Sequence, residues 1–290
     1  MFRQFSKTFR FSAFLFAFCT LAHAQLATSI SVSKREYLAG EAVVAEVIIT
    51  NHTGQELMLA GSREQPWITF VVTNSQGNPV TTLKPNSFGA MKIKAGESLA
   101  KQVNLTDFFL LNSQGNFAVS AVIKDPQKRF NGASTNRVLF DLNPGRLYWS
   151  QKVGISAEKN ATKTREMRLL TFSNGRNNQI YAQIADGDSG VPLRTFLLGD
   201  ALMLRKPMVT LDGERRMHVM FLGTPSMWVH SQINTDGQLV KRELHQSPPQ
   251  GDPVMMAYGD GSVRVVNSIP YDVEAMAKER AKVHKISDRP

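Results

Sequence analysis

Met208–Leu244, MVTLDGERRMHVMFLGTPSMWVHSQINTDGQLVKREL, reads as four short strands joined by tight turns. Met208–Leu211 runs into Asp212-Gly213, and Met217–Leu222 into Gly223-Thr224-Pro225-Ser226. Trp228–Ile233 runs into Asp236-Gly237, and Leu239–Leu244 closes the unit. Asp-Gly is a hairpin signal because glycine enters the positive-φ region that a tight turn needs. The apolar residues recur at strand spacing. The pattern predicts an antiparallel meander and by itself specifies no chemistry.

Upstream, Met167–Phe172, Gln179–Ala185 and Leu193–Leu198 form a first meander, with turns at Asn174-Gly175 and Asp186-Gly187-Asp188-Ser189-Gly190. Downstream, Val254–Tyr258, Gly259-Asp260-Gly261 and Val263–Asn267 begin a third. Gly175, Gly213 and Gly261 stand about 40–50 residues apart, a spacing that suits propeller blades. A closed propeller needs at least about four blades, so the expectation is an open, strongly twisted, blade-like sheet. A second sandwich whose hairpins share Asp-Gly turns satisfies the same pattern. Pro270 ends this region. Beyond it Asp272 is placed to cap a short helix with Val273, Met276, Ala277 and Ala281 on one face and Lys278, Arg280, Lys282 and Lys285 as candidate contacts to a partner.

The half before it also reads as strands at short spacing: Ser29–Val32, Val43–Thr50, Leu57–Leu59, Trp67–Thr73, Val80–Leu83 and Gly115–Ile123. Such spacing predicts an antiparallel β-sandwich. Tyr37-Leu38-Ala39-Gly40-Glu41 before a strand ending in Asn51-His52-Thr53-Gly54, and Val103–Thr106 leading to Gly115-Asn116-Phe117-Ala118-Val119, resemble the opening and closing patterns of immunoglobulin-like secreted modules of the macroglobulin or BsuPI protease-inhibitor-like kind. The resemblance covers about residues 28–143 and implies fold more than activity. Phe117 stands where those modules more often carry tyrosine. The expected organisation is all-β: residues 1–24 a leader, 25–143 an immunoglobulin-like sandwich, 144–270 a β-meander domain, and 271–290 a basic helix and tail. Leu142-Asn143-Pro144-Gly145 marks the boundary, because proline and glycine stop a strand.

Arg3, Lys7 and Arg10, the apolar run Phe11–Ala22 and the small residues of Ala22-His23-Ala24 have the order of a secretory signal peptide cleaved after Ala24. The one cysteine of the 290 residues, Cys19, lies inside this segment. A chain exported without disulfides must be held by packed cores, which is ordinary for a bacterial periplasmic protein. The net charge is +10, and the leader supplies three of those charges. The basic balance favours an envelope protein or an anionic polymer as partner. No groove-like basic cluster with interleaved aromatics suggests nucleic acid, and nothing after the leader reads as a transmembrane segment.

The chemistry-bearing candidates are few. If Met220 pairs with His230, then His218 lies diagonal to His230 on one sheet face, with Trp228 alongside. His218, His230 and Trp228 are therefore the candidate ligand-binding residues. A metal would need a third ligand, which only folding could bring, from Asp212 or Glu243. Structural histidines are the simpler reading, so neither a metal nor a cofactor is expected. The Asp186–Gly190 turn lacks the full ligand pattern of a calcium loop. No catalytic residues are assigned, because no Gly-x-Ser-x-Gly elbow, phosphate loop or His-Glu-x-x-His occurs. These features favour a non-catalytic binding or assembly protein outside the cytoplasm. The alternatives are an inhibitor or sensor of extracytoplasmic proteases, with Phe88–Lys94 as its loop, and a hydrolase of a cell-wall polymer or glycan.

Overall fold

The computed structural model describes residues 26–85, 88–124, 132–156 and 162–272. The leader and the expected C-terminal helix with Lys278, Arg280, Lys282 and Lys285 lie outside them. The described chain is all-β, a succession of small open sheets in a propeller-like arrangement. Its only helical element is the single 3-10 turn Leu105–Asp107. No helix among the described residues is long and apolar enough to cross a membrane.

The first half holds ten strands: β1 (Leu26–Val32), β2 (Glu36–Leu38), β3 (Val44–Asn51), β4 (Leu57–Leu59), β5 (Ile68–Asn74), β6 (Met91–Ile93), β7 (Ser98–Asn104), β8 (Gly115–Ile123), β9 (Ala133–Ser134) and β10 (Val138–Asn143). One sheet has the order β1-β3-β7. Another has the order β2-β10-β8-β5, with β9 also paired to β8. All pairs in them are antiparallel except β2 with β10. Alternation decides what is buried: Ala45, Val47 and Ile49 of β3 face Phe70 and Val72 of β5 and Val119 and Ala121 of β8 across one core, with Trp67, Tyr37 and Phe140. Phe117 stacks on Phe140, with ring centroids 5.6 Å apart. The segment Phe88–Lys94 is not a free loop. Phe88 packs between Phe70 and Phe108, and Met91–Ile93 pairs with β4 and buries Ile93. A phenylalanine gains more from that apolar contact than from water.

The second half begins with a four-stranded sheet, β11 (Arg146–Ser156), β12 (Thr162–Ser173), β13 (Asn178–Asp186) and β14 (Pro192–Ala201), in that order. The next sheet runs β15 (Met208–Leu211), β16 (Met217–Thr224), β17 (Met227–Ile233) and β18 (Leu239–Gln246), and β21 (Ile269–Pro270) pairs with the end of β18. The hairpin β19 (Val254–Ala257) and β20 (Val263–Val266) stands apart. The two larger sheets share a core in which Met167, Leu169, Ile180 and Ile184 meet Met217, Val219 and Phe221.

Strand β16 is buried on both faces from Met217 to Leu222. Its odd-numbered residues enter the shared core. On the other face Met220, Leu222 and Trp228 pack against Met255 and Val265 of the hairpin. The turns at Gly213 and Gly261 touch: Gly213 N–H donates to Gly261 O at 2.8 Å, and their Cα atoms come so close that a side chain at either would crowd the other.

The halves meet at the Tyr37–Glu41 turn. Buried Leu38 packs on Leu170 and Tyr181. Thr195 Oγ1 and Gln183 Nε2 donate to Ala39 O at 2.7 and 3.2 Å, and Thr195 N–H donates to Gly40 O. Gly40 has φ +80°, and a Cβ there would stand 2.9 Å from Pro192 Cβ. The Glu41 carboxylate caps its own turn by accepting from Leu38 N–H and pairs with Lys34, whose ammonium lies over Tyr181.

Candidate functional site

The site is a diagonal of polar side chains on the outer face of the β15–β18 sheet. The Asp212-Gly213 turn leads β16 back along β15, and the Gly223–Ser226 turn leads β17 back along β16. The resulting register places Met220 opposite His230, so His218 lies diagonal to His230, as alternation predicts. β18 then brings Glu243 opposite His230 and His245 opposite Trp228. One face therefore carries His218, His230, Glu243 and His245.

These groups form a chain of hydrogen bonds. Asp212 accepts from Arg216 Nε at 2.6 Å and from the backbone N–H groups of Glu214 and Arg216. His218 Nε2 lies 3.0 Å from Asp212 Oδ2. Its Nδ1 lies 3.0 Å from His230 Nε2, and His230 Nδ1 lies 3.2 Å from Glu243 Oε2. Lys241 pairs with the other Glu243 oxygen at 2.7 Å. His218 and His230 are each 2% exposed and His245 is 7% exposed. His245 Nδ1 contacts Ser268 Oγ at 3.2 Å, and its Nε2 is buried with no hydrogen-bond partner. Leaving such a group unpaired costs about 1–3 kcal/mol.

Burial works against both carboxylates, yet each is held below its ordinary pKa. The hydrogen bonds of His218 and Arg216 outweigh burial for Asp212, and those of Lys241 and His230 do so for Glu243. Burial and the neighbouring His218 push His230 down to about 4. Burial also lowers His245. Both rings are therefore neutral at neutral pH.

The ionised Asp212 only accepts, so His218 Nε2 donates to it. The neutral His230 carries one ring hydrogen, which serves either His218 Nδ1 at 3.0 Å or Glu243 Oε2 at 3.2 Å.

A groove of about 650 Å³ opens beside this end of the sheet, lined by Arg242, Glu243, His245, Pro270 and Tyr271 among others. Of the three residues named from sequence, His230 stands next to Glu243 and His245. His218 has both nitrogens engaged by protein. Trp228 is packed among Met220, Leu222 and the hairpin, with Nε1 donating to Ser247 Oγ at 3.0 Å, so its ring is not presented to a ligand. Asp212 and Glu243 both join the cluster through folding. His245 was not singled out from sequence, although its alternation with Lys241 and Glu243 along β18 puts it on the same face. The Asp186 turn satisfies itself: Asp186 Oδ1 accepts from Ser189 N–H and Oγ–H at 2.9 and 2.8 Å.

No protein-family model and no curated protein matches the chain. Among solved structures, the sporulation control protein Spo0M of Bacillus subtilis aligns with 61% of this chain and 91% of its own, at 10% identity and a TM-score of 0.28. A likeness of that size says nothing about activity.

Proposed function

We propose that this chain is a binding or assembly protein of the periplasm or extracellular space that receives an extended segment of a partner protein along the free edge of β18. The observation that supports this reading is the state of that edge. β18 pairs with β17 along its length, whereas on its other side, among the described residues, only Leu244, His245 and Gln246 are engaged, by Ile269–Tyr271. Leu239 and Val240 on this strand are about half exposed. An open strand edge offers backbone donors and acceptors that an added strand can satisfy, and the side chains beside it supply specificity.

The export signal around Arg3, Lys7, Arg10 and Ala22–Ala24, and the absence of cysteine after Cys19, agree with a place outside the cytoplasm. In the first half, two sheets enclosing one core suit the immunoglobulin-like module that Tyr37–Glu41 and Asn51–Gly54 resemble. The protease-inhibitor reading has no such support, because Phe88 and Ile93 of its proposed loop pack into the core.

The test is capture from the envelope extract of the source cells by the tagged protein, by a Leu239→Lys/Val240→Lys variant and by a chain ending at Pro270. A specific partner retained by the first and lost by the second supports docking on the edge. Exposed substitutions of this kind change stability by no more than about 0.5 kcal/mol, so equal melting temperatures are expected. Equal capture by the variant, or loss only on truncation, moves the contact off β18 and overturns the reading.

A further inference from the structure

We propose that His230, Glu243 and His245 form a binding site for one divalent transition-metal ion of the zinc class, with an open coordination position facing the groove beside β18. This goes beyond the edge-binding reading and does not depend on it.

One nitrogen of each histidine and one carboxylate oxygen of Glu243 lie within 4.8 Å of one another. The free atoms identify which nitrogens serve. His230 Nε2 is engaged with His218 and His245 Nδ1 faces Ser268, so His230 Nδ1 and His245 Nε2 remain. His245 Nε2 is the buried nitrogen without a partner, on a side chain more than nine-tenths buried that lines the groove with Glu243. With metal–ligand bonds of about 2.0–2.1 Å, the ligand atoms of a tetrahedral ion stand roughly 3.3 Å apart. His230 and Glu243 already have that separation at 3.2 Å. The three ligand atoms lie within 4.8 Å of one another, so the widest pair has at most about 1.5 Å to close.

A bound cation gives His245 Nε2 the partner it lacks. Two imidazoles and one carboxylate form a donor set that suits zinc, copper, nickel or iron better than calcium or magnesium.

The outer residues are those a metal site needs. His218 holds His230 through Nε2 and is itself oriented by Asp212 and Arg216, a carboxylate–histidine relay of the kind that fixes a ligand's tautomer and raises its basicity. Ser268 orients His245.

Tag-free full-length protein, stripped with chelator, is titrated with Zn²⁺ by calorimetry and with Co²⁺ by visible absorbance. One equivalent should bind with micromolar or tighter affinity, Co²⁺ should show the intense bands of four-coordination, and equimolar Mg²⁺ or Ca²⁺ should not compete. Glu243→Gln, on a partly exposed side chain, and His245→Ala should each weaken binding by at least about tenfold, and His218→Gln by roughly 10–100-fold. The Leu239→Lys/Val240→Lys variant should bind zinc as the parent does, which separates this site from the strand edge. No saturable binding by the parent overturns the proposal. Undiminished binding in both Glu243→Gln and His245→Ala does so too.

Discussion

Each half of the molecule buries a polar cluster, and the two clusters are completed to different degrees. In the first half, Asn51 is fully buried at the end of β3. Its Nδ2 donates to the carbonyls of Gln55, Ile93 and Lys94, and its Oδ1 accepts from Thr53 N–H and Thr53 Oγ. Both ends of the amide are used, and the turn after β3 is tied to the end of β6. In the second half, the Asp212–His218–His230–Glu243 chain lies beside His245, whose Nε2 is buried with no hydrogen-bond partner. A buried polar group with all its bonds made serves the fold; one left incomplete lowers stability and marks a place where something else can bind.

The largest expected effect comes from removing the completed cluster. Asn51→Ala takes a donor from three carbonyls, of which Gln55 O and Lys94 O keep others, and removes the acceptor of Thr53 N–H and Oγ–H; it should destabilise the protein by about 2–4 kcal/mol, read as a fall in the denaturation midpoint. A loss below about 0.5 kcal/mol would mean that water replaces the amide and that the two clusters do not differ as described.

Acidification tests the second cluster. The folded His230 has its pKa lowered to about 4, whereas the unfolded chain has an ordinary histidine near 6.5. Between those values the unfolded state binds the extra proton. Stability should therefore fall as the pH drops from about 6.5 to 4, by at most about 3 kcal/mol from this residue. His245, shifted in the same direction, adds to the fall. In His230→Gln, melting temperature against pH should flatten across this window. An equally steep profile would assign the acid sensitivity elsewhere.

The smallest effect is the sharpest contrast. His245→Leu removes the unpaired buried Nε2 together with the Nδ1 contact to Ser268 Oγ, effects of opposite sign, so metal-free stability should change by less than about 1 kcal/mol in either direction. A loss as large as that of Asn51→Ala would mean that His245 serves the fold.

The contact between the halves also separates local from distant information. Gly40 and Glu41 announce a tight turn in the sequence, but nothing near them indicates that Ala39 O is reserved for Gln183 and Thr195, about 150 residues away. Leu38 reads as any apolar strand residue, and only the fold places it between Gly145 and Leu170.

The sequence by itself indicated most of the strands and their hairpin turns, Val80–Leu83 being an expected strand that does not form, and it gave the register of β16 on β17 as a condition. Each of these depends on residues a few positions apart: Asp-Gly and Pro-Ser turns set the pairing, and alternation sets the face. With Met220 paired to His230, as the structure has it, alternation places His218 diagonal to His230. Tertiary structure alone decided what covers each face. The β19–β20 hairpin closes over Trp228, Phe88 folds into the core, and β18 carries Glu243 and His245 to His230. Burial of a sheet face is settled by whatever packs on it from elsewhere in the chain, which local pattern does not encode.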